Sequence, residues 1–560
     1  TALLAGGDAA SIGRRKAEWF GAWGYEDWLS LLPGLDLQAR GPLDVQADAS
    51  IRGARFSQTR ILWNGRPLSD PQTAHHNLNL PWPVIMLERV EVWPGAAATR
   101  RVEGAFGGAV NLVSREPGRG PAAVSAWGGS HDTWGGAAYV PFTAAGRHAL
   151  AASRQTTRGG RTGTEAETLH AGYAGRWSRT GLITDVQAGF ADKRFGAADF
   201  YGPYPSRERT RTGAAFVSSE VKTGKDSRLS PSLDCRMQHD MFVLDRFRPG
   251  WFQVDHRSGT FAVEAPWEWR GEQGERTSIG AFARRESLSS SVLGVHARTL
   301  GGIYGFLRWP FPGAVGAEAG VRCTWSNAGN PVVSPSAGLQ AELTAALTVR
   351  AAGGWTVRRP DFTELYYDSP ANQGNPTLEA ETARHLETGL DWLPGEAAMA
   401  GATLFYRMET DVIDWIRMET GGPWRAMNVS GLETWGWACR MTWTSPAFEF
   451  ACHALGQTWR TAQPVPGVSK YAMNPVELGF SIRAAWRSPW AFVLALTGDY
   501  AERPESGDAT LWGAALSWSP LADLRIWVRG ENLGDAIHQE IPGVPGSPRS
   551  WVLGLDWRGF

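Results

Sequence analysis

The sequence predicts an all-β membrane protein, an antiparallel transmembrane β-barrel of about 22 strands preceded by a small mixed α/β domain. Three observations carry that expectation. From about Pro121 onward the chain falls into segments of roughly ten residues that alternate apolar and polar side chains between turn residues. No run of about 18 apolar residues exists, and the nearest stretch, residues 80–93 (LPWPVIMLERVEVW), carries proline and charge, so helical spans are excluded and only a closed barrel can cross a bilayer. Trp (29) outnumbers Phe (22) and Tyr (11), a bias expected where amphipathic rings anchor at a membrane interface or stack on ligands.

The first domain is expected at residues 1–118 and the barrel at 119–560. The opening part is aperiodic, with short apolar runs punctuated by Gly, Pro and Asp, as in a compact mixed α/β unit. In the barrel part the alternation can be read strand by strand. Trp435, Trp437, Cys439, Met441 and Trp443 share one face, opposite Thr434, Gly436, Ala438, Arg440, Thr442 and Thr444. In residues 490–500, Trp490, Phe492, Leu494, Leu496, Gly498 and Tyr500 share a face, while Thr497 and Asp499 point the other way. Leu524, Ile526 and Val528 oppose Arg525, Trp527 and Arg529, which fits a wall with lipid outside and a polar lumen inside. A soluble β-sandwich or propeller alternates as cleanly, but no blade-length repeat is present, and long loops are expected at residues 195–212 and 357–378. About 22 strands at roughly 20 residues each, loops included, suit a barrel wide enough to be plugged.

Composition narrows the function. Lys+Arg (55) and Asp+Glu (56) leave a net charge of −1, which argues against a nucleic-acid binder. Hydrophobic residues at 43% with 20% charged residues exclude a disordered chain, and 67 Gly with 34 Pro disfavour long helices. Cys235, Cys323, Cys439 and Cys452 show no metal or redox spacing, although Cys439 and Cys452 flank a turn and could be cross-strand neighbours. The adjacent His75 and His76 have no carboxylate or Cys at ligand spacing along the chain, so no metal site and no cofactor is expected. No GxSxG, HExxH or phosphate-binding P-loop motif is present, so the chain is not expected to be an enzyme. Thr1 opens on no signal peptide, which is expected to have been removed or to lie upstream.

The sharpest signals lie in the first domain: LLPGLDL (31–37), IRG (51–53), RILWNGRPL (60–68), HHNLNLPW (75–82), LERVEVWPG (87–95) and GAFGGAVNLVSRE (104–116). Their order and spacing resemble the plug domain of TonB-dependent outer-membrane receptors. The likeness continues through WTVRRPDFTELYYDSPANQGNPTLEAET (355–382), FYRMETDVIDWI (405–416), VRGENLGD (528–535) and the aromatic terminus Phe560. Gly53, Gly65, Gly95, Gly107 and Gly108 fall where a domain packed inside a tube needs tight turns or close backbone approach. The loop after Pro94 and Gly95 departs from the family's usual pattern, and Phe560 falls on the opposite parity to Trp551, Leu553, Leu555 and Trp557 unless Gly559 forms a bulge.

The resemblance implies active import across the bacterial outer membrane, with the plug folded in the barrel lumen and energy supplied by the TonB-ExbB-ExbD complex through a coupling box expected upstream of the plug. It implies that Arg52, Glu88, Arg89 and Glu91 contact the barrel wall, through residues such as Arg440, Arg525 or Glu449, and that Phe560 serves as the signal read by the barrel-assembly machinery. Ligand contacts are expected from the loop aromatics Phe200, Tyr201, Tyr204, Trp251 and Phe252, and from Tyr366, Tyr367 and Asn372. Arg207, Arg209, Arg211, Arg246 and Arg248 would favour an anionic ligand or the phosphates of lipopolysaccharide in the surrounding membrane. The pattern looks nearest to the cobalamin branch, with ferric-siderophore and haem receptors next; no Asp-rich calcium loop is seen. A surface lipoprotein partner and a structural or docking barrel that has lost energy coupling are the remaining expectations.

Overall fold

The computed structural model describes residues 9–99, 101–311, 314–327, 329–429, 431–464, 466–471 and 474–559. Phe560, the expected assembly signal, lies outside them. Twenty-two antiparallel strands close into a barrel, the short segment Ser227–Leu229 continuing Ser232–Val243 in line past Pro231. Closure is made by the last strand, Ser550–Arg558, pairing antiparallel with the first, Ala123–Gly129.

Period-two patterning sets the wall. On Leu432–Thr444, Trp435, Trp437, Met441 and Trp443 are each at least 39% exposed, whereas Thr434, Ala438 and Arg440 are 8% exposed or less. Trp551, Leu553, Leu555 and Trp557 are likewise exposed on the outer face of the closing strand. In water such rows would be unfavourable; against lipid tails they are the solvent-matched face. Cys439 and Cys452 are free and offset, because Cys439 pairs with Ala454 and Cys452 with Met441.

Short turns such as 144–146, 180–181 and 345–346 close one end of the barrel, and the long connections 197–206, 359–380, 411–431, 462–477 and 532–549 crowd the other, which marks the extracellular mouth. The loop expected at 195–212 is shorter than its sequence suggested. Leu182–Gly196 and Arg207–Lys222 extend into it, and their pairing of Gly196 with Arg207 satisfies backbone that would otherwise be open.

Inside the lumen a five-stranded sheet runs in the order Ala10–Gly13, Leu87–Pro94, Gly108–Ser114, Thr59–Trp63, Arg66–Pro67, with Thr59–Trp63 parallel to Gly108–Ser114 and the other pairs antiparallel. A hairpin of Leu35–Ala39 and Ala47–Ile51 stands beside it. The core is buried Val90, Val92, Val110 and Leu112, with Trp63 stacked on Trp82 at 4.4 Å. Trp82 and Met86 seat against the wall where Gly172 and Gly189 face each other across two strands. A Cβ at Gly172 would come within 2.4 Å of the Met86 sulfur, so this approach requires the missing side chains.

Candidate functional site: the plug and its extracellular vestibule

Ion pairs carry much of the contact between plug and wall. The turn at Arg52 and Gly53 holds both residues at positive φ (49° and 67°), a conformation that presents the Arg52 guanidinium to the barrel. There Arg52 meets Glu387 at 2.8 Å, and Arg407 donates to the Arg52 carbonyl at 2.9 Å. Three residues on, Arg55 pairs with Glu381, which also takes Arg358, while Gln58 donates to Glu409 at 2.8 Å. Glu381 and Glu409 are fully buried, and their charges are matched by guanidinium groups on both plug and wall. Elsewhere Lys16 reaches Glu449 (2.6 Å), Asp36 reaches Arg503 (2.5 Å), Asp27 reaches Arg529 (3.0 Å) and Arg236 reaches Asp70.

The expected plug contacts divide on this geometry. Arg52 faces the wall. Arg89 instead pairs with Glu91 at 2.7 Å, Glu91 also accepts from Asn111, and Glu88 lies 3.9 Å from Arg14, all within the plug. The reason is register: Leu87–Pro94 is an interior strand of the plug sheet, so its polar residues find partners on neighbouring plug elements. The wall residues named with them do meet the plug, through other groups: Arg440 donates to the Ala9 carbonyl, Arg525 to the Glu18 carbonyl, and Glu449 holds Lys16.

Above the plug lies an aromatic and cationic vestibule. His75 stacks on Phe56 (4.1 Å) and lies near Tyr471 (5.8 Å) and Tyr201 (6.5 Å). Its Nδ1 is 2.9 Å from Asp48; burial lowers the pKa of the ring despite that carboxylate, so the neutral imidazole donates to Asp48 at neutral pH. Arg40 bonds Asp48 at 3.2 Å and lies under the Tyr201 ring, whose hydroxyl is shared with Gln46 at 2.7 Å. On the far side, the loops 359–380, 411–431 and 462–477 build a small four-stranded sheet: Asn372–Gln373, Trp424–Val429, Val412–Arg417 and Val468–Ser469. Arg417 and Lys470 both lie over the Trp424 ring, at 4.6 and 5.5 Å. Tyr367 sits edge-on to Trp415 at 6.4 Å, its phenol pushed up to about 12 by burial and then by Asp240 and Tyr471, so it stays a neutral donor.

The loop aromatics separate accordingly. Tyr201 and Tyr367 border the vestibule, and Asn372 is an edge residue of the small sheet, paired with Trp424. Phe200 is 2% exposed in a cluster with Leu43, Val45 and Phe195, so its ring packs the loop against the plug. Tyr366 lies flat on His296 at 3.6 Å. Tyr204 and Trp251 meet each other at 5.9 Å on the rim with Arg248 over the indole, and Phe252 is the half-buried residue before the strand Gln253–Arg270. Reading the sequence alone missed Arg40, Gln46, Asp48, Phe56, Trp415, Arg417, Trp424, Lys470 and Tyr471. Their one visible signal is the concentration of aromatic and basic residues in loops that a barrel places at one end.

The chain is similar in fold to a siderophore receptor, PirA from Pseudomonas aeruginosa, with a TM-score of 0.79 at 15% identity over 99% of both chains. It is also similar to the copper transporter OprC, at a TM-score of 0.82, 13% identity and 98% of both chains. The FrpB iron transporter from Neisseria meningitidis matches at a TM-score of 0.82, with 12% identity over 99% of this chain and 100% of that one. None of the curated proteins matches the chain in sequence. The family model of the TonB-dependent receptor plug domain matches residues 7–109, and that of the TonB-dependent receptor-like β-barrel matches 114–533. With plug and barrel matched in this order and the strands closed around the plug, the protein belongs to the TonB-dependent receptors, integral β-barrels of the Gram-negative outer membrane.

Proposed function

We propose that this receptor imports an anionic metal chelate bearing aromatic or planar groups, of the ferric-siderophore class. The reading rests on one observation: Arg417 and Lys470 converge on the Trp424 face beside Tyr471, above a plug apex of Phe56 and stacked His75. Cations over exposed aromatic faces bind negative, flat ligands through charge and stacking together. The siderophore, copper and iron receptors that share the fold support the ligand class. Cobalamin, neutral overall, gains nothing from those cations and serves as the comparison ligand, with haem beside it. Import then follows the family's route, in which energy from TonB rearranges the plug and the ligand passes inward. Barrel-assembly factors, lipopolysaccharide and a surface lipoprotein are partners within this proposal. A plug–barrel domain boundary near residue 118 is part of it too, drawn in the segment between Gly108–Ser114 and Ala123–Gly129.

The test is ligand titration of the detergent-solubilised protein, read by quenching of its tryptophan fluorescence, with ferric catecholates, ferric hydroxamates, haem and cobalamin. Saturable binding of a ferric chelate, weakened about ten-fold or more when Arg417 and Lys470 are both changed to Ala, is the expected result. Saturable binding of cobalamin alone would replace this reading with the corrinoid one. Binding of none would favour the structural or docking barrel.

A further inference from the structure

Plug and wall enclose a cavity of about 170 Å³ lined by guanidinium groups from both. Arg60, on the plug strand Thr59–Trp63, donates from Nε to the Glu103 carbonyl at 2.9 Å, and its guanidinium lies against Gly104, where a Cβ would collide with Nη2. The missing side chain thus leaves the space this charge occupies. Opposite, three adjacent wall strands, Arg276–Ser290, Gly294–Phe311 and Val315–Ser326, supply Arg284, Tyr304 and Arg322. Arg322 is 7% exposed and lies over the rings of Tyr304 (4.5 Å) and Phe282 (5.7 Å), which hold a cation without neutralising it. One of its Nη atoms reaches the Arg101 carbonyl at 3.4 Å, and its Nε has no acceptor among the described residues. Arg284 is close enough for its charge to act on both Arg60 and Arg322.

The carboxylates around the cavity are mostly committed to other groups. Glu103 holds Arg359 at 2.5 Å, Asp234 holds Arg66 at 2.7 Å, and Asp70 holds Arg236. Glu286 holds Arg298 at 2.5 Å and leaves Arg284 at 3.8 Å, while Asp361 caps the short helix Phe362–Tyr366. Glu264 accepts from the Tyr304 hydroxyl at 2.5 Å and is the one carboxylate, among the described residues, left to face three guanidinium groups. Positive charge is therefore in excess between two bodies of low dielectric, where leaving it uncompensated is costly. Arg101, over the Trp93 ring at 4.3 Å, adds to that excess.

We infer that Arg60, Arg284 and Arg322 form a binding site for a small multivalent oxyanion of the phosphate or sulfate class, seated between the plug and three wall strands. Guanidinium groups bind such ions through paired N–H donors, and the cavity has room for one four-oxygen ion beside water. Because the donors come from both bodies, the ion would tie Thr59–Trp63 to the wall, and the site exists only when the plug is seated. It does not depend on which chelate the receptor imports.

The test uses the full chain in detergent, held at constant ionic strength with sodium chloride and titrated calorimetrically with inorganic phosphate and, separately, with sulfate. Expected are one ion per chain and a melting temperature of the plug, read by tryptophan fluorescence, that rises with phosphate and stays unchanged in chloride alone. Arg60→Gln, Arg284→Gln and Arg322→Gln should each weaken binding by about ten-fold or more, with Arg154→Gln, on the exposed pair with Glu167, as the unaffected control. Should a variant fail to fold, anomalous diffraction from wild-type crystals soaked in selenate locates the ion, and a peak in this cavity is expected. The inference falls if no saturable binding is found, if chloride acts as well as phosphate, if affinity is unchanged in the three variants, or if selenate is seen only elsewhere.

Discussion

The plug meets the two sides of its barrel in different ways. Toward the strands Glu381–Trp392 and Ala398–Thr410 it is clamped: Arg52, Arg55 and Gln58 find Glu387, Glu381 and Glu409, and Arg358 and Arg407 complete the set. Toward Gln253–Arg270, Arg276–Ser290 and Val315–Ser326 the surfaces part around a cavity of about 170 Å³ lined by Arg60, Arg101, Glu103, Glu264, Arg284 and Arg322. In the clamp every carboxylate is matched. In the cavity positive charge is short of partners: burial, and then Arg358, lower the pKa of Arg60 to about 10, and Arg101 is lowered by burial too. The difference teaches where the plug is anchored and where it can give way, since compensated buried charge is costly to break while an open, cationic seam loses little on widening.

The largest break of that contrast is Glu381→Ala. It strips Arg55 of its close carboxylate and leaves Arg358 with Glu364 alone, and the buried guanidinium of Arg55 without a close partner should destabilise the plug by about 3–5 kcal/mol. Denaturant unfolding of the plug, followed by tryptophan fluorescence while the barrel stays resistant to SDS, measures it; a cost of under about 1 kcal/mol would make the clamp no better than a surface pair. Next comes the double-mutant cycle of Arg52→Ala and Glu387→Ala, where a coupling of about 1–3 kcal/mol is expected and additivity would deny the pair a direct role.

On the cavity side Arg322→Ala should cost about 1 kcal/mol or less. Its guanidinium lies over Tyr304 at 4.5 Å and makes a 3.4 Å bond to the Arg101 carbonyl. The same change should lower the anion preference of the current through the detergent-purified protein reconstituted in planar bilayers, and an unchanged selectivity would remove the cavity from any conducting route.

The smallest effect is a pH slope at the mouth. Glu540 accepts from the Ala39 amide of the plug hairpin at 2.8 Å, and desolvation followed by Asp36 raises its pKa from 4.5 to about 7. Because the folded value is the higher one, the stability tied to keeping this buried carboxyl neutral is fully present below about pH 4.5 and is lost as pH rises through about 7, while the Ala39 bond favours the ionised form and offsets only part of that loss. The stability of the plug in denaturant should therefore fall between pH 6 and 8, and Glu540→Gln should flatten that dependence; a slope that persists in the variant would assign it elsewhere.

Much of the architecture is written in the chain because lipid and lumen impose opposite demands on alternate residues. Trp435, Trp437 and Met441 against Thr434, Ala438 and Arg440 state that demand in consecutive positions, and the plug motifs identify the family. The site was far less legible. Arg52 could be picked out within its motif, but Arg89 and Glu91 have the same composition and pair with each other, since interior sheet register decides which way they face. Phe200 and Tyr366 look in sequence like Tyr201 and Tyr367; one of each adjacent pair packs inward and the other borders the vestibule.

The sequence by itself determined the barrel, the lipid-facing rows, the presence of a plug and the family, all of which depend on local period or on motifs read in order. Only the tertiary structure decided the partners. Glu381 meets Arg55, Glu208 and Asp240 come near His76, and three separate loops form one sheet over the plug, because closure of the barrel brings together residues far apart in the chain. Alternation places a side chain in the lumen; which charge it finds there depends on strand register and on how the plug is turned.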